Sequence, residues 1–146
     1  MRVALTMAER GMAAGGPPVG ACLVHADEVV AAAHNSVIGE LDVTAHAEVC
    51  VLRAACRELR RLDLGGCSLY VTLEPCTMCL TAAFYAGVSE VVYGAPLTAM
   101  SAATGRELGI PADTLFAAAD TPPAMLGGVL AAECSALIDA WQGGRR

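Results

Sequence analysis

The sequence predicts a three-layer α/β/α sandwich, with a central mixed sheet covered by helices on both faces. Two observations lead there: helical and extended segments alternate along the chain, and the extended ones are almost wholly apolar, as strands buried inside a sheet are. A third, the clusters of Gly, Pro and polar residues between segments, supplies the boundaries. The 146 residues suffice for one core and are too few for two ordinary ones, so residues 1–146 are expected to form a single domain.

Residues 2–14 carry Leu5, Ala8 and Met12 at helical spacing, and Gly15-Gly16-Pro17-Pro18 stops them. "VGACLVH" (19–25) and "VVAAAHN" (29–35), separated by Ala26-Asp27-Glu28, read as a hairpin in the middle of a sheet. Residues 35–44 read as loop and 45–60 as a second helix, closed by the polar stretch before Gly65-Gly66. "SLYVTL" (68–73) is rich in strand formers. Pro75 is suited to open the next helix, since the first helical position needs no N–H, and that helix should run to about Gly87. "EVVYGA" (90–95) is a further strand; Gly and Pro break any period across 96–124, and a last helix is expected over about 125–141.

Composition limits the partners. Hydrophobic residues make up 55% of the chain, yet no uncharged run reaches the ~18 apolar residues of a membrane span, so no membrane partner is expected. Glu9 and Arg10 interrupt the N-terminal stretch where an export signal would be apolar, and seven cysteines, an odd number, fit a reducing compartment. The expected location is the cytoplasm. Net charge is −6 and lysine is absent, whereas a protein gripping a phosphate backbone usually shows a basic patch. Arg53, Arg57, Arg60 and Arg61 share one helical face, which reads as a solvated face, and Arg145 and Arg146 end the sequence.

The chemistry is concentrated in two short stretches. In "EPCTMC" (74–79), Cys76 and Cys79 lie three apart at a helix start, about 60° apart around the axis, so both sulfurs can reach one point. The N–H groups of that first turn favour thiolate. With the His46 imidazole they make three soft-to-borderline ligands, a set that suits one Zn²⁺ and leaves its fourth tetrahedral position to water. Glu48 follows His46 by two residues, about 200° around a regular helix. If residues 45–48 form the first turn and the metal lies beyond the helix end, His46 can ligate while Glu48 approaches the bound water, whose pKa zinc lowers to about 7. One carboxylate could then move the proton from water to a ring nitrogen and to a leaving amine.

His-x-Glu followed by Pro-Cys-x-x-Cys is the signature of zinc deaminases. Here it stands as His46-Ala47-Glu48 and Pro75-Cys76-Thr77-Met78-Cys79. The chain resembles the cytidine deaminase-like superfamily, in the branch that holds transfer-RNA adenosine deaminases, guanine deaminases and fungal cytosine deaminases. "GGPPVGACLV", "HNSV", "TAHAEV", "LYVTLEPCTMC", "VVYGA" and, further on, "GVLAAECSAL" carry the resemblance. It implies His46, Cys76 and Cys79 as zinc ligands, Glu48 as proton shuttle, Asn35 as a hydrogen-bonding partner of the substrate base, and Val19 and Ala47 as pocket lining. Asp42-Val43-Thr44 stands where the family carries Asp-Pro-Thr. The family is usually dimeric, which together with an Ala-rich apolar composition points to a homodimer.

Competing readings of these residues are specific. Cys50, four residues after His46, could close a four-ligand structural zinc site and make the chain a non-catalytic binding module. The Cys-x-x-Cys pair alone would also fit a redox site. Cys22, Cys56, Cys67 and Cys134 read as small core residues, His25 and His34 as structural, and Phe84 and Tyr85 as core packing. Trp141 either anchors the last helix or caps the pocket over a planar ring. For the substrate, acidity, missing lysines and 4% aromatic residues favour a nucleobase, nucleoside or related aminated heterocycle of guanine or cytosine type over RNA. The alternative is the wobble adenosine of transfer RNA.

Overall fold

The computed structural model describes residues 1–100 and 107–144. Arg145 and Arg146, and the part of the unreadable 96–124 stretch at 101–106, lie outside the described residues. In order the elements are α1 (Arg2–Ala13), β1 (Gly20–His25), β2 (Glu28–His34), α2 (Val37–Glu40), α3 (Ala47–Leu59), β3 (Cys67–Leu73), α4 (Thr77–Tyr85), β4 (Glu90–Ala95), α5 (Ala112–Leu115), β5 (Ala124–Leu126) and α6 (Ala131–Gly143). No helix is long and apolar enough to cross a membrane, among the described residues.

The sheet is mixed, with strand order β2-β1-β3-β4-β5. β1 pairs antiparallel with both β2 and β3, whereas β3–β4 and β4–β5 are parallel. The hairpin turn is Ala26-Asp27, both at positive φ (48° and 64°), the two-residue turn whose twist matches the flanking strands. β1 is central and buried from Gly20 to Leu23 as expected, but β2 is an edge strand that remains partly exposed, so only half of the hairpin lies in the sheet interior.

Helices cover both faces, and two glycines show how closely. A Cβ on Gly20 would overlap the backbone of Ala4 and Ala8, and one on Gly94 would overlap Cys134 Sγ, so α1 and α6 lie directly on one face of the sheet. Their contact with each other completes that layer, while α3 and α4 pack together on the other. Ala21, Leu23, Leu69, Val71 and Val91, all 0% exposed, form the centre of the core with Val51 and Ala55 of α3. Cys22, Cys67 and Cys134 are buried as expected, and Cys56 is half-buried.

Three expectations are corrected. The last helix starts at Ala131; Ala124–Leu126 forms a fifth strand instead, a three-residue edge whose side chains are largely exposed and so carry no periodic signal. Tyr85 is 82% exposed, because α4 turns Leu80 and Ala83 to the core and two residues past Ala83 is about 200° around the helix. The predicted loop 35–44 holds the helical turn α2. Gly20→Ala is expected to destabilise the fold by about 1–3 kcal/mol, seen as a lower urea midpoint at unchanged m-value, because the added methyl meets backbone that cannot move aside. An unchanged midpoint would count against so close an α1 layer.

Candidate active site

The site lies at one edge of the sheet. Because β1 runs against its neighbours, its start shares that edge with the ends of β2, β3 and β4. Val19 precedes β1 and Asn35 follows β2; an Asn35 N–H···O bond to Val19 (2.9 Å) ties them together. α3 and α4 both begin at the same edge, after His46 and Cys76.

His46 and Cys76 are the N-cap residues of these helices, each extended in backbone (φ −64°, ψ 152° and φ −68°, ψ 168°). This revises the expected geometry in one respect: helix α3 begins at Ala47, so His46 lies off the regular helix and the 200° rule does not govern it. Pro75 stands two positions ahead of α4, where it shapes the entry without occupying the first helical turn.

The ligand atoms converge. His46 Nδ1 lies 3.7 Å from Cys76 Sγ and 3.5 Å from Cys79 Sγ, and the two sulfurs are 3.7 Å apart. Tetrahedral ligands at ~2.3 Å (sulfur) and ~2.05 Å (nitrogen) from zinc stand about 3.8 Å apart for S–S and about 3.6 Å for S–N. The three atoms therefore fit a zinc ion closely. Among the described residues these three are the group able to hold a metal, and Cys50 is outside it. Cys50 is half-buried in α3 and its sulfur is not part of the converging group, so the closed four-ligand site is not formed.

Electrostatics follow from the crowding. Cys76 is pushed down to about 4, first by its hydrogen bond with Cys79 and also by His46, working against its burial. Cys79 is raised, first by its bond with Cys76 and then by burial. His46 is raised, chiefly by its bond to Cys76. Metal binding would release these protons.

Glu48 is 3% exposed, and its Oε2 is buried with no hydrogen-bond partner among the described residues. An unpaired buried carboxylate oxygen is costly and calls for an unseen partner. Burial foremost pushes Glu48 up to about 7, and the Cys76 charge adds to this while His46 opposes it. A divalent cation nearby would favour the ionised form.

The cavity above these groups is lined by Pro17, Val19, Asn35, Val37, His46, Glu48, Leu73, Glu74, Cys76, Leu97, Met100 and Glu107. Asn35 is 7% exposed and lines the cavity, and its Oδ1 accepts the Val37 N–H (3.2 Å). Two expected lining residues are elsewhere. Ala47 is fully buried beneath the start of α3, and Trp141, 9% exposed, belongs to the core and anchors α6. Neither lines the cavity. Sequence reasoning missed Glu74 and Glu107. Glu74 is next to Pro75, but only the sheet order shows that its Oε2 accepts the Leu97 N–H (3.0 Å) beyond β4.

The loop before His46 needs no proline. Asp42 Oδ1 accepts both the N–H and the hydroxyl of Thr44 (2.8 and 2.7 Å), and Arg53 reaches Asp42 (3.6 Å) and Thr44 (3.2 Å). The Thr44 hydroxyl foremost holds Asp42 below the usual carboxylate range. His25 and His34 bond the carbonyls of Gly66 (3.3 Å) and Asn35 (3.0 Å) and are structural.

Residues 1–95 match the family described as the cytidine and deoxycytidylate deaminase zinc-binding region. The chain belongs to that family. It is 45% identical over 95 residues to the tRNA-specific adenosine deaminase of Aquifex aeolicus, a match covering 65% of this chain and 63% of that protein's length. It is 35% identical over 141 residues to the tRNA-specific adenosine deaminase of Bacillus subtilis, covering 97% and 85%. Among solved structures, guanine deaminase from Nitrosomonas europaea superposes with a TM-score of 0.84 at 25% identity, covering 96% and 81%. The zinc-binding family and the geometry agree on Zn²⁺ as cofactor.

Metal analysis of purified variants checks the ligand set. Cys79→Ala is expected to lose stoichiometric zinc, while Cys50→Ala keeps it; equal loss in both would restore the closed site.

Proposed function

We propose that residues 1–146 act as one zinc-dependent deaminase domain that hydrolyses the C–N bond of an aminated purine or pyrimidine ring and releases ammonia. The observation that carries this reading is the buried, unpartnered Glu48 Oε2 beside three ligand atoms at tetrahedral separations. Zinc held by His46, Cys76 and Cys79 would supply an activated water at its open position. Glu48 would take one proton of that water to the ring nitrogen and a second, from the hydroxyl then on the ring carbon, to the departing amine, so that ammonia leaves as the carbonyl forms. Asn35 Nδ2 donates to an acceptor on the ring edge, and Val19 with Leu73 and Leu97 flanks the ring faces.

A free base or nucleoside, guanine or cytosine first, is the substrate class this cavity favours. Glu48, Glu74 and Glu107 line it, and no arginine does among the described residues. Arg57, Arg60 and Arg61 cluster at the far end of the 13-residue α3, about 20 Å from His46, where they are solvated as expected. The likeness to guanine deaminase supports the same class. The second reading, the wobble adenosine of transfer RNA, is supported by the likeness to two tRNA-specific adenosine deaminases. A homodimer is supported by exposed Leu41, Val43, Leu62 and Tyr85, and a cytoplasmic location by seven unpaired cysteines.

Ammonia release from guanine, cytosine, adenine, their nucleosides, amino-triazines and a transfer-RNA anticodon stem separates these readings. Release from a free base or nucleoside supports the first, and reaction of the stem alone supports the second. Glu48→Gln should lower turnover by about 10²–10⁴-fold with zinc retained. Turnover unchanged by that substitution would remove Glu48 from the chemistry, and turnover absent on every compound would leave only a structural zinc module.

A further inference from the structure

The two positions between Cys76 and Cys79 take no part in holding the metal, but the first of them, Thr77, makes a distinctive set of bonds. Its N-cap predecessor is a cysteine and supplies no side-chain cap to α4. A helix begun this way leaves N–H groups of its first turn without partners. Here a distant segment provides one: the Leu108 carbonyl accepts the Thr77 N–H (3.5 Å) and, more closely, the Thr77 hydroxyl (2.7 Å). The same hydroxyl oxygen accepts the Ile110 N–H (3.4 Å). Thr77 therefore holds Leu108 and Ile110 with donor and acceptor at once.

What it holds is a wall of the cavity. Glu107, adjacent to Leu108, lines the catalytic cavity. The segment has little apolar anchorage of its own, since Leu108 is 64% and Ile110 36% exposed. Its connection to α4 is thus made by polar bonds that a single hydroxyl organises.

We propose that Thr77 is a positioning residue: its hydroxyl clamps residues 108–110 to the start of the metal-bearing helix and so sets where the Glu107 wall stands relative to the bound ring. This rests on the deaminase reading above and adds to it a determinant of substrate binding that touches neither the metal nor the ring. The clamp affects KM and not kcat, because Glu48 and the ligand set do not depend on it.

Thr77→Val keeps the shape and removes both bonds; Thr77→Ser keeps the hydroxyl. In the zinc-loaded enzyme, Thr77→Val should raise KM on the order of fivefold, the worth of about one hydrogen bond, with kcat within about twofold and zinc content unchanged. Amide hydrogen exchange across 108–110 should quicken in Thr77→Val and return to wild-type rates in Thr77→Ser, together with KM. Unchanged KM and exchange in Thr77→Val would overturn the proposal, and so would loss of zinc or of folding in that variant, which would make the residue merely structural. If the wild type releases no ammonia from any compound, the deaminase reading fails, and the exchange measurement still decides the clamp.

Discussion

Everything at this site depends on two helix starts meeting at one point. His46 and Cys76 lie 30 positions apart, and both take the extended N-cap conformation that turns a side chain away from the helix wall and beyond its end. Neither residue type is a good cap, since neither presents an oxygen to the first free N–H groups. Local helix stability is given up there so that an imidazole and a sulfur can share a centre with Cys79 from the next turn. The partial positive charge of both helix starts falls on the same spot, where it favours thiolate and carboxylate together.

The sheet makes this meeting possible. Were β1 parallel to β3, its start would lie at the opposite edge, taking Pro17 and Val19 away from the cavity. Reversed, it brings them beside Asn35 and opposite Leu73. Close layers keep that edge in register, and Gly20 shows how little room there is: α1 lies against β1 where no Cβ could stand, so residues entering β1 are held as firmly as those leaving β3.

The convergence of His46, Cys76 and Cys79, with Glu48 at the same cavity, was legible from the sequence because it is carried by residue type at short spacing, in two stretches. The central strands were legible because burial on both faces leaves an apolar run. Other features depend on distant partners. Ala47 adjoins two site residues in sequence, yet the turn into α3 directs its methyl inward. Trp141 could have been read as anchor or as lid until packing placed it in the core. Glu74 and Glu107 resemble any surface carboxylate until strand order brings the ends of β3 and β4 together. β5 and the outward face of Tyr85 follow from edge position and helix phase, neither of which composition encodes.

Charge carries the reading one step further. A zinc ion with two thiolates is formally neutral, and Glu48 leaves one negative charge at the reacting centre. Glu74 and Glu107 are carboxylate residues of the cavity wall, while Arg57 stands in the last turn of α3, where cations are favoured, Arg60 and Arg61 lie beyond it, and Arg53 is engaged by Asp42 and Thr44. Under the proposed reading, such a lining would suit a neutral, planar ring better than a phosphate-rich ligand inside the cavity itself. It repels a ligand rich in phosphates unless cations from outside the cavity hold that ligand's backbone at a distance of several ångströms, within the Debye length of about 8 Å at physiological salt. Under either proposed substrate, the ring and the backbone would thus be separate binding problems: the cavity would receive the ring, and the backbone would be held outside it.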